Sequence, residues 1–315
     1  MVEIKDIKEL LVVGAGTMGH SIAQVYAQAG FQVDLVDISQ EKLNHALELI
    51  QSNLEILAEF KRVDSTQIPN ILSRIRVSTD LAQAAKNKLY VLEAVSEIPE
   101  LKQQIFETFA NFCSERTILA SNTSSLDIFK LVKRIVNLER VIGHHWFAPP
   151  HIIPSVEVIP SRKTSQETTD FVVELSEKIG KIPIVTKKFI PSYIVNKIQE
   201  SISATMYELM ARGVATAEQI DLAIKTTLGV RLPIIGVVQL HDFTGLDVVQ
   251  NIQSEKGGSL PIVDNKVEKN ELGVKTGKGF YDYGDLTEKE ILNKRDRLLL
   301  QQLEFLENLN NFRPI

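Results

Sequence analysis

The chain has 315 residues, 44% hydrophobic and 24% charged, which is long enough for two ordinary globular cores and excludes a disordered composition. A formal net charge of −5 argues against nucleic acid as a partner, and the one cysteine, Cys113, can form neither an internal disulfide nor a thiolate metal site. No apolar run approaches the roughly eighteen residues of a membrane span and residues 1–8 lack a leader pattern, so the expectation is no signal peptide, no membrane partner and a reducing cytoplasm.

The first predicted strand, Glu9 to Val13, runs directly into Gly14-Ala15-Gly16-Thr17-Met18-Gly19 and then a helical pattern. In this G-x-G-x-x-G spacing Gly14 serves a tight turn, Gly16 lets backbone N–H groups approach a pyrophosphate, and Gly19 lets the helix pack closely on the strand. Unpaired amides and a positive partial charge at the helix start complete a phosphate site. Such glycines alone are a weak signal, and their neighbours strengthen it. Gly30 closes the helix, Gln32 to Val36 reads as a second strand, and Asp37 stands at its carboxyl end, eighteen residues after Gly19. An acid there accepts hydrogen bonds from the ribose hydroxyls and repels a 2′-phosphate, which points to NAD rather than NADP.

Ser39 then caps a long amphipathic helix with Leu43, Ala46, Leu47, Ile50, Leu54 and Leu57 on one face. With the segment from Asp64 to Ile75 it predicts a helical hairpin inserted at about 39–75, either a packing arm or a flap over the ligand. Strands are expected at 76–78 and 89–95, with Glu93 and Glu97 at the carboxyl end of the second, where open parallel sheets bind ligands. Pro99 starts a helix carrying Lys102. A strand at 117–121 leads into Asn122-Thr123-Ser124-Ser125, again at the ligand edge. Strands at 140–143 and 156–159 flank a segment holding three of the six histidines, His144, His145 and His151. No metal site follows from them, because His144 and His145 point to opposite faces of a strand; one histidine paired with one carboxylate is the better reading. A last strand is expected at 182–185, and beyond it 191–210, 216–229, 234–252 and 286–309 read as helices. The architecture predicted is an α/β, Rossmann-type doubly wound sheet domain over 1–188, followed by an all-helical substrate and dimerisation domain over 189–315.

Read together, these motifs resemble the 3-hydroxyacyl-CoA dehydrogenase family over nearly the whole chain. The resemblance rests on Gly14 to Gly19, Glu93-Ala94-Val95-Ser96-Glu97 with Lys102, Ser121 to Ser125, and Gly143-His144-His145-Trp146-Phe147 through Glu157. It continues in Gly180-Lys181, Ile194-Val195-Asn196 and Gly277-Lys278-Gly279-Phe280-Tyr281-Asp282-Tyr283. It implies NAD-dependent, reversible oxidation of an L-3-hydroxyacyl-CoA such as 3-hydroxybutyryl-CoA, with hydride passing from C3 to NAD. His145 would be the general base, Glu157 its carboxylate partner, and Ser124 and Asn196 the groups holding the substrate's oxygen and thioester region. Ala15, Thr17, Met18, Asn122, Glu97 and Lys102 would join the glycines and Asp37 as cofactor contacts, and family practice implies a homodimer. Departures bear on substrate range: Ala148 stands where the family usually has Asn, Ser192 and Tyr193 replace Gly and Phe, and Lys197 replaces Arg. Two other readings stay open, a dehydrogenase of a free hydroxy acid such as gulonate and a non-enzymatic NAD-binding relative. Few basic residues beyond Lys61 and Arg62 stand in the helical arm to meet CoA phosphates.

Overall fold

The computed structural model describes residues 4–309 and 312–313. The ends of the two expected domains, and the first three residues of the segment read for a leader, lie outside them. The order of elements is β1 (Glu9–Val13), α1 (Gly19–Gln28), β2 (Gln32–Val36), α2 (Gln40–Glu59), α3 (Ile68–Ser73), β3 (Ile75–Ser78), α4 (Leu81–Ala84), β4 (Tyr90–Glu93), α5 (Pro99–Phe112) and β5 (Ile118–Ser121). Then come α6 (Ile128–Val132), β6 (Val141–Trp146), β7 (Ser155–Pro160), α7 (Gln166–Lys178) and β8 (Ile182–Val185). The remaining helices are α8 (Val195–Ala211), α9 (Ala217–Thr226), α10 (Leu228–Ile235), α11 (Val237–Thr244), α12 (Leu246–Glu255), α13 (Pro261–Glu268) and α14 (Glu288–Leu309).

The eight strands form one sheet in the order β3-β2-β1-β4-β5-β6-β7-β8. All neighbours are parallel except β6 and β7, which pair antiparallel with His145 opposite Glu157. The central strands are apolar on both faces because helices cover both: Leu10, Val12 and Leu35 pack toward α1 and α2, while Leu11, Val91 and Leu119 pack toward α5 and α6. The strand order reverses beside β1, so the carboxyl ends of β1, β2 and β4 open into a crevice.

The chain divides into two compact units, 1–201 and 202–315, at a point within α8. In the second unit the expected helix over 234–252 is broken at Gly236 and Gly245, with φ +63° and +95°, into the end of α10, then α11 and α12. Helix α13, begun by Pro261, was not expected at all. The Gly277 to Tyr283 motif is knotted by a buried acid: Asp242 accepts from the amides of Phe280 and Tyr281, each at 2.9 Å, and from the Tyr283 hydroxyl at 3.1 Å. A methyl group on Gly279 would sit 2.4 Å from Asp242 Oδ1, so the motif is tied to that carboxylate by close approach.

Candidate active site

The turn after β1 fits a dinucleotide. Gly14 holds φ +102°, and a Cβ there would lie 2.6 Å from the Ala94 carbonyl oxygen on the neighbouring chain segment. A Cβ on Gly19 would lie 1.7 Å from the Gly14 oxygen, so α1 starts closer to the turn than any side chain permits. At Gly16 the same test meets nothing within 4 Å, which leaves its backbone open to an incoming phosphate. The adjoining cavity of about 410 Å³ is lined by Gly14, Gly16, Thr17, Met18 and Asp37. Asp37 Oδ2 accepts the Ala15 amide at 3.0 Å and Oδ1 the Ser39 amide at 3.3 Å, so two backbone amides fix the carboxylate at the wall of this cavity. These features fit NAD.

A second cavity of about 600 Å³ opens beside His145, lined by Met18, Asn122, Ser124, Phe147, Ala148 and Asn196 among others, all from the first unit. Here β6 and β7 do the positioning. Their register sets Glu157 across from His145, and Glu157 Oε2 accepts from His145 Nδ1 at 2.8 Å. Glu157 Oε1 accepts the Ile194 and Val195 amides at 3.0 and 3.1 Å. Burial acts to raise this carboxyl group, but the hydrogen bonds from His145 and the two amides outweigh it and leave Glu157 below its ordinary value. An anion at Nδ1 assigns the proton to that nitrogen. Nε2 is then the acceptor, and it faces Ser124 Oγ at 3.2 Å. Tyr193 packs against the imidazole tilted at 58°, with ring centroids 5.2 Å apart, and Phe147 meets it edge to face at 4.8 Å.

The other two histidines of the segment take no part. His144 points to the opposite face of the sheet, fully buried, between the Tyr90 hydroxyl at 2.7 Å and Ser176 Oγ at 3.1 Å; burial, with His145 beside it, lowers its pKa to about 3. His151 is joined through Ser21 to His20 on α1. No group of three or more potential metal ligands occurs among the described residues.

Glu97 and Lys102 belong to an ionic network at the end of β4. Lys102, only 1% exposed, donates to Glu93 at 2.7 Å and lies 3.2 Å from Glu97. Glu97 Oε1 accepts the Ser124 and Ser125 amides at 2.9 and 3.0 Å and also the Thr123 hydroxyl. Burial alone would raise its carboxyl group, yet these donors and Lys102 bring it down to about 2. Asn122 turns its side-chain oxygen to the Trp146 amide at 2.8 Å. The loop bearing Ser124 is thus strapped to the end of β4.

Sequence reasoning missed two parts of this arrangement. Tyr193, 1% exposed against His145, was noted only as a departure, and it and Ser192 carry positive φ of 51° and 65° where a glycine would be unstrained. Ser121 stands in register with Glu93 and donates to it at 2.5 Å. A signal was available for Ser121 alone, which ends β5 directly ahead of the polar run.

Comparison with known proteins agrees with this geometry. Residues 9–189 match the family model for the 3-hydroxyacyl-CoA dehydrogenase NAD binding domain, and 193–283 the model for the C-terminal domain. A probable 3-hydroxybutyryl-CoA dehydrogenase from Bacillus subtilis is 35% identical over 290 residues, covering 90% of this chain and 99% of the relative. A 5-formyl-3-hydroxy-2-methylpyridine 4-carboxylate 5-dehydrogenase from Mesorhizobium japonicum is 30% identical over 309 residues, covering 96% and 99%. Among solved structures, a 3-hydroxyacyl-CoA dehydrogenase from Archaeoglobus fulgidus superposes with TM-score 0.79 at 29% identity, over 95% of this chain and 99% of that one.

Proposed function

The chain belongs to the 3-hydroxyacyl-CoA dehydrogenase family, an NAD-binding group of oxidoreductases, and from that premise we propose that it interconverts an L-3-hydroxyacyl-CoA and its 3-ketoacyl-CoA. The observation that carries this reading is the relay Ser124–His145–Glu157, with contacts of 3.2 and 2.8 Å, beside a cavity whose lining among the described residues includes no lysine or arginine. A neutral thioester suits such walls, whereas a free carboxylate brings a charge that no cation among these lining residues meets. Bound NAD supplies the acceptor for the hydrogen leaving C3. Ser124 holds the substrate's oxygen next to His145 Nε2, and Nε2 takes the hydroxyl proton. Glu157 keeps Nδ1 protonated and offsets the imidazolium charge, and Asn196 orients the thioester end. This reading makes Lys61 and Arg62, both exposed after α2, the cations nearest in sequence for CoA phosphates. It also takes the protein to act as a homodimer in a reducing cytoplasm, at the hydroxyacyl oxidation step of fatty-acid β-oxidation.

A free-acid substrate is the second reading, supported by the Mesorhizobium relative, whose name specifies a pyridine carboxylate. NADH oxidation measured with acetoacetyl-CoA and with acetoacetate separates the two. The CoA reading expects kcat/KM at least ~10²-fold higher for the thioester, since remote CoA contacts add binding energy that positions the reacting end. Equal rates, or preference for the free acid, would overturn it.

A further inference from the structure

A third cavity, of about 580 Å³, lies apart from the two described above. Because β7 runs antiparallel to β6, with Pro160 opposite Ile142, the ends of β7 and β8 sit where β6 begins, at the edge of the sheet away from Gly14, Asp37 and Ser121. The turn after β7, the segment after β8 and the return from α6 enclose the space. Six cations line it, Lys130, Lys133, Arg162, Lys163, Lys187 and Lys188, against a single carboxylate, Asp127. Asp127 lies 3.1 Å from Lys130; the other five cations form no ion pair among the described residues. In a chain of net charge −5, this gathering of like charge is unfavourable on its own and favours a multiply charged anion.

The floor has a different character. Phe129, Leu138, Pro160 and Phe189 form it, with the two phenyl rings edge to face at 5.8 Å. Phe189 in turn meets Tyr193 at 6.0 Å, the ring that packs against His145. A simple inorganic anion would use the rim and leave the apolar floor wet. A ligand with a flat ring at one end and several phosphates at the other uses both. We propose that this cavity is a binding site for a nucleoside polyphosphate, distinct from the cofactor groove. The ring packs on Phe189 and Leu138, and the phosphates lie among Lys187, Lys188, Arg162 and Lys163.

The test is calorimetric titration with ATP in the presence of saturating NAD, which keeps ATP out of the groove at Gly16. One saturating site is expected, weakening steeply as salt rises, with adenosine silent and inorganic triphosphate at least ~10-fold weaker than ATP. The Lys187→Glu/Lys188→Glu variant should lose at least ~10-fold in ATP affinity while its affinity for NAD and its circular dichroism stay unchanged. Should that variant fail to fold, Arg162→Glu/Lys163→Glu probes the same rim from another segment. Absence of saturable ATP binding, equal affinity for inorganic triphosphate, or undiminished ATP binding in the folded variants would overturn the proposal. So would tighter binding to phosphatidylglycerol vesicles or to single-stranded RNA than to ATP, which would make the patch a macromolecular contact.

Discussion

Glu157 meets two demands with one carboxylate: Oε2 accepts from His145, while Oε1 accepts from two backbone amides at the start of α8. An amide side chain has only one oxygen, so Glu157→Gln must leave one side facing an N–H with another N–H. Placed toward His145, its NH₂ would shift the imidazole proton to Nε2 and remove the base. We expect the loss in kcat, with the KM for NAD held, and His145→Ala should cost ~10²–10⁴-fold. The double variant should be scarcely worse than His145→Ala, because the carboxylate has no separate task in catalysis once its histidine is gone; strictly multiplicative losses in steady-state rates would contradict the pairing. Asp37 separates charge from geometry. Asp37→Asn keeps an oxygen for the Ala15 amide but removes the negative charge, so NADP should gain on NAD; Asp37→Ala should in addition raise the KM for NAD. Unchanged cofactor preference in both variants would show that the carboxylate does not face the ribose.

Between elements, paired charges act as straps. Glu93 at the end of β4, Lys102 on α5 and Glu97 between them hold the Ser124 loop that follows β5. Glu97 has its folded value lowered from 4.5 to about 2. A carboxylate lowered on folding adds stability that is fully present above about pH 4.5 and is lost as pH falls through about 2. Urea unfolding of the wild type and Glu97→Gln should therefore differ at pH 7 and converge toward pH 2; a constant difference across that window would mean the strap is not electrostatic. In the second unit Asp242 is the comparable tie. Asp242→Asn turns one acceptor into a donor facing an amide or the Tyr283 hydroxyl, and should destabilise that unit by about 2 kcal/mol, read from its thermal midpoint. Leaving the midpoint unmoved would show the loop holds by packing alone.

At the scale of the molecule, the second unit buries little of its own apolar surface. Among the described residues Ile235, Leu246, Val263, Val274 and Ile291 are its buried aliphatics, whereas Val237, Val238, Ile252, Leu298, Leu300 and Phe305 are exposed. Side chains of that size left in water favour self-association, and a symmetric dimer is the commonest closed solution. Light scattering at micromolar concentration should give twice the mass of the 35.3 kDa chain, and Leu300→Glu/Phe305→Glu should shift it toward the monomer. A monomeric wild type would refute the assembly.

What could be read along the chain was whatever depends on near neighbours. The strand, glycine turn and helix at 9–28, and Asp37 beyond them, follow from spacing alone, since turn geometry and helix packing act within a few residues. The alternation of apolar and polar segments likewise specified a parallel sheet and then helices. The break at Gly245 and the helix α13 escaped, because a short helical run and a continuous one share the same periodicity until packing selects between them. Charge partners depended on the fold. That Lys102 lies between Glu93 and Glu97, that Tyr193 covers His145, and that six cations from α6 and the ends of β7 and β8 converge on one cavity are facts of tertiary packing. Chain spacing limits which residues can meet, but for groups tens of residues apart only the packed sheet and its connections select the contacts that form.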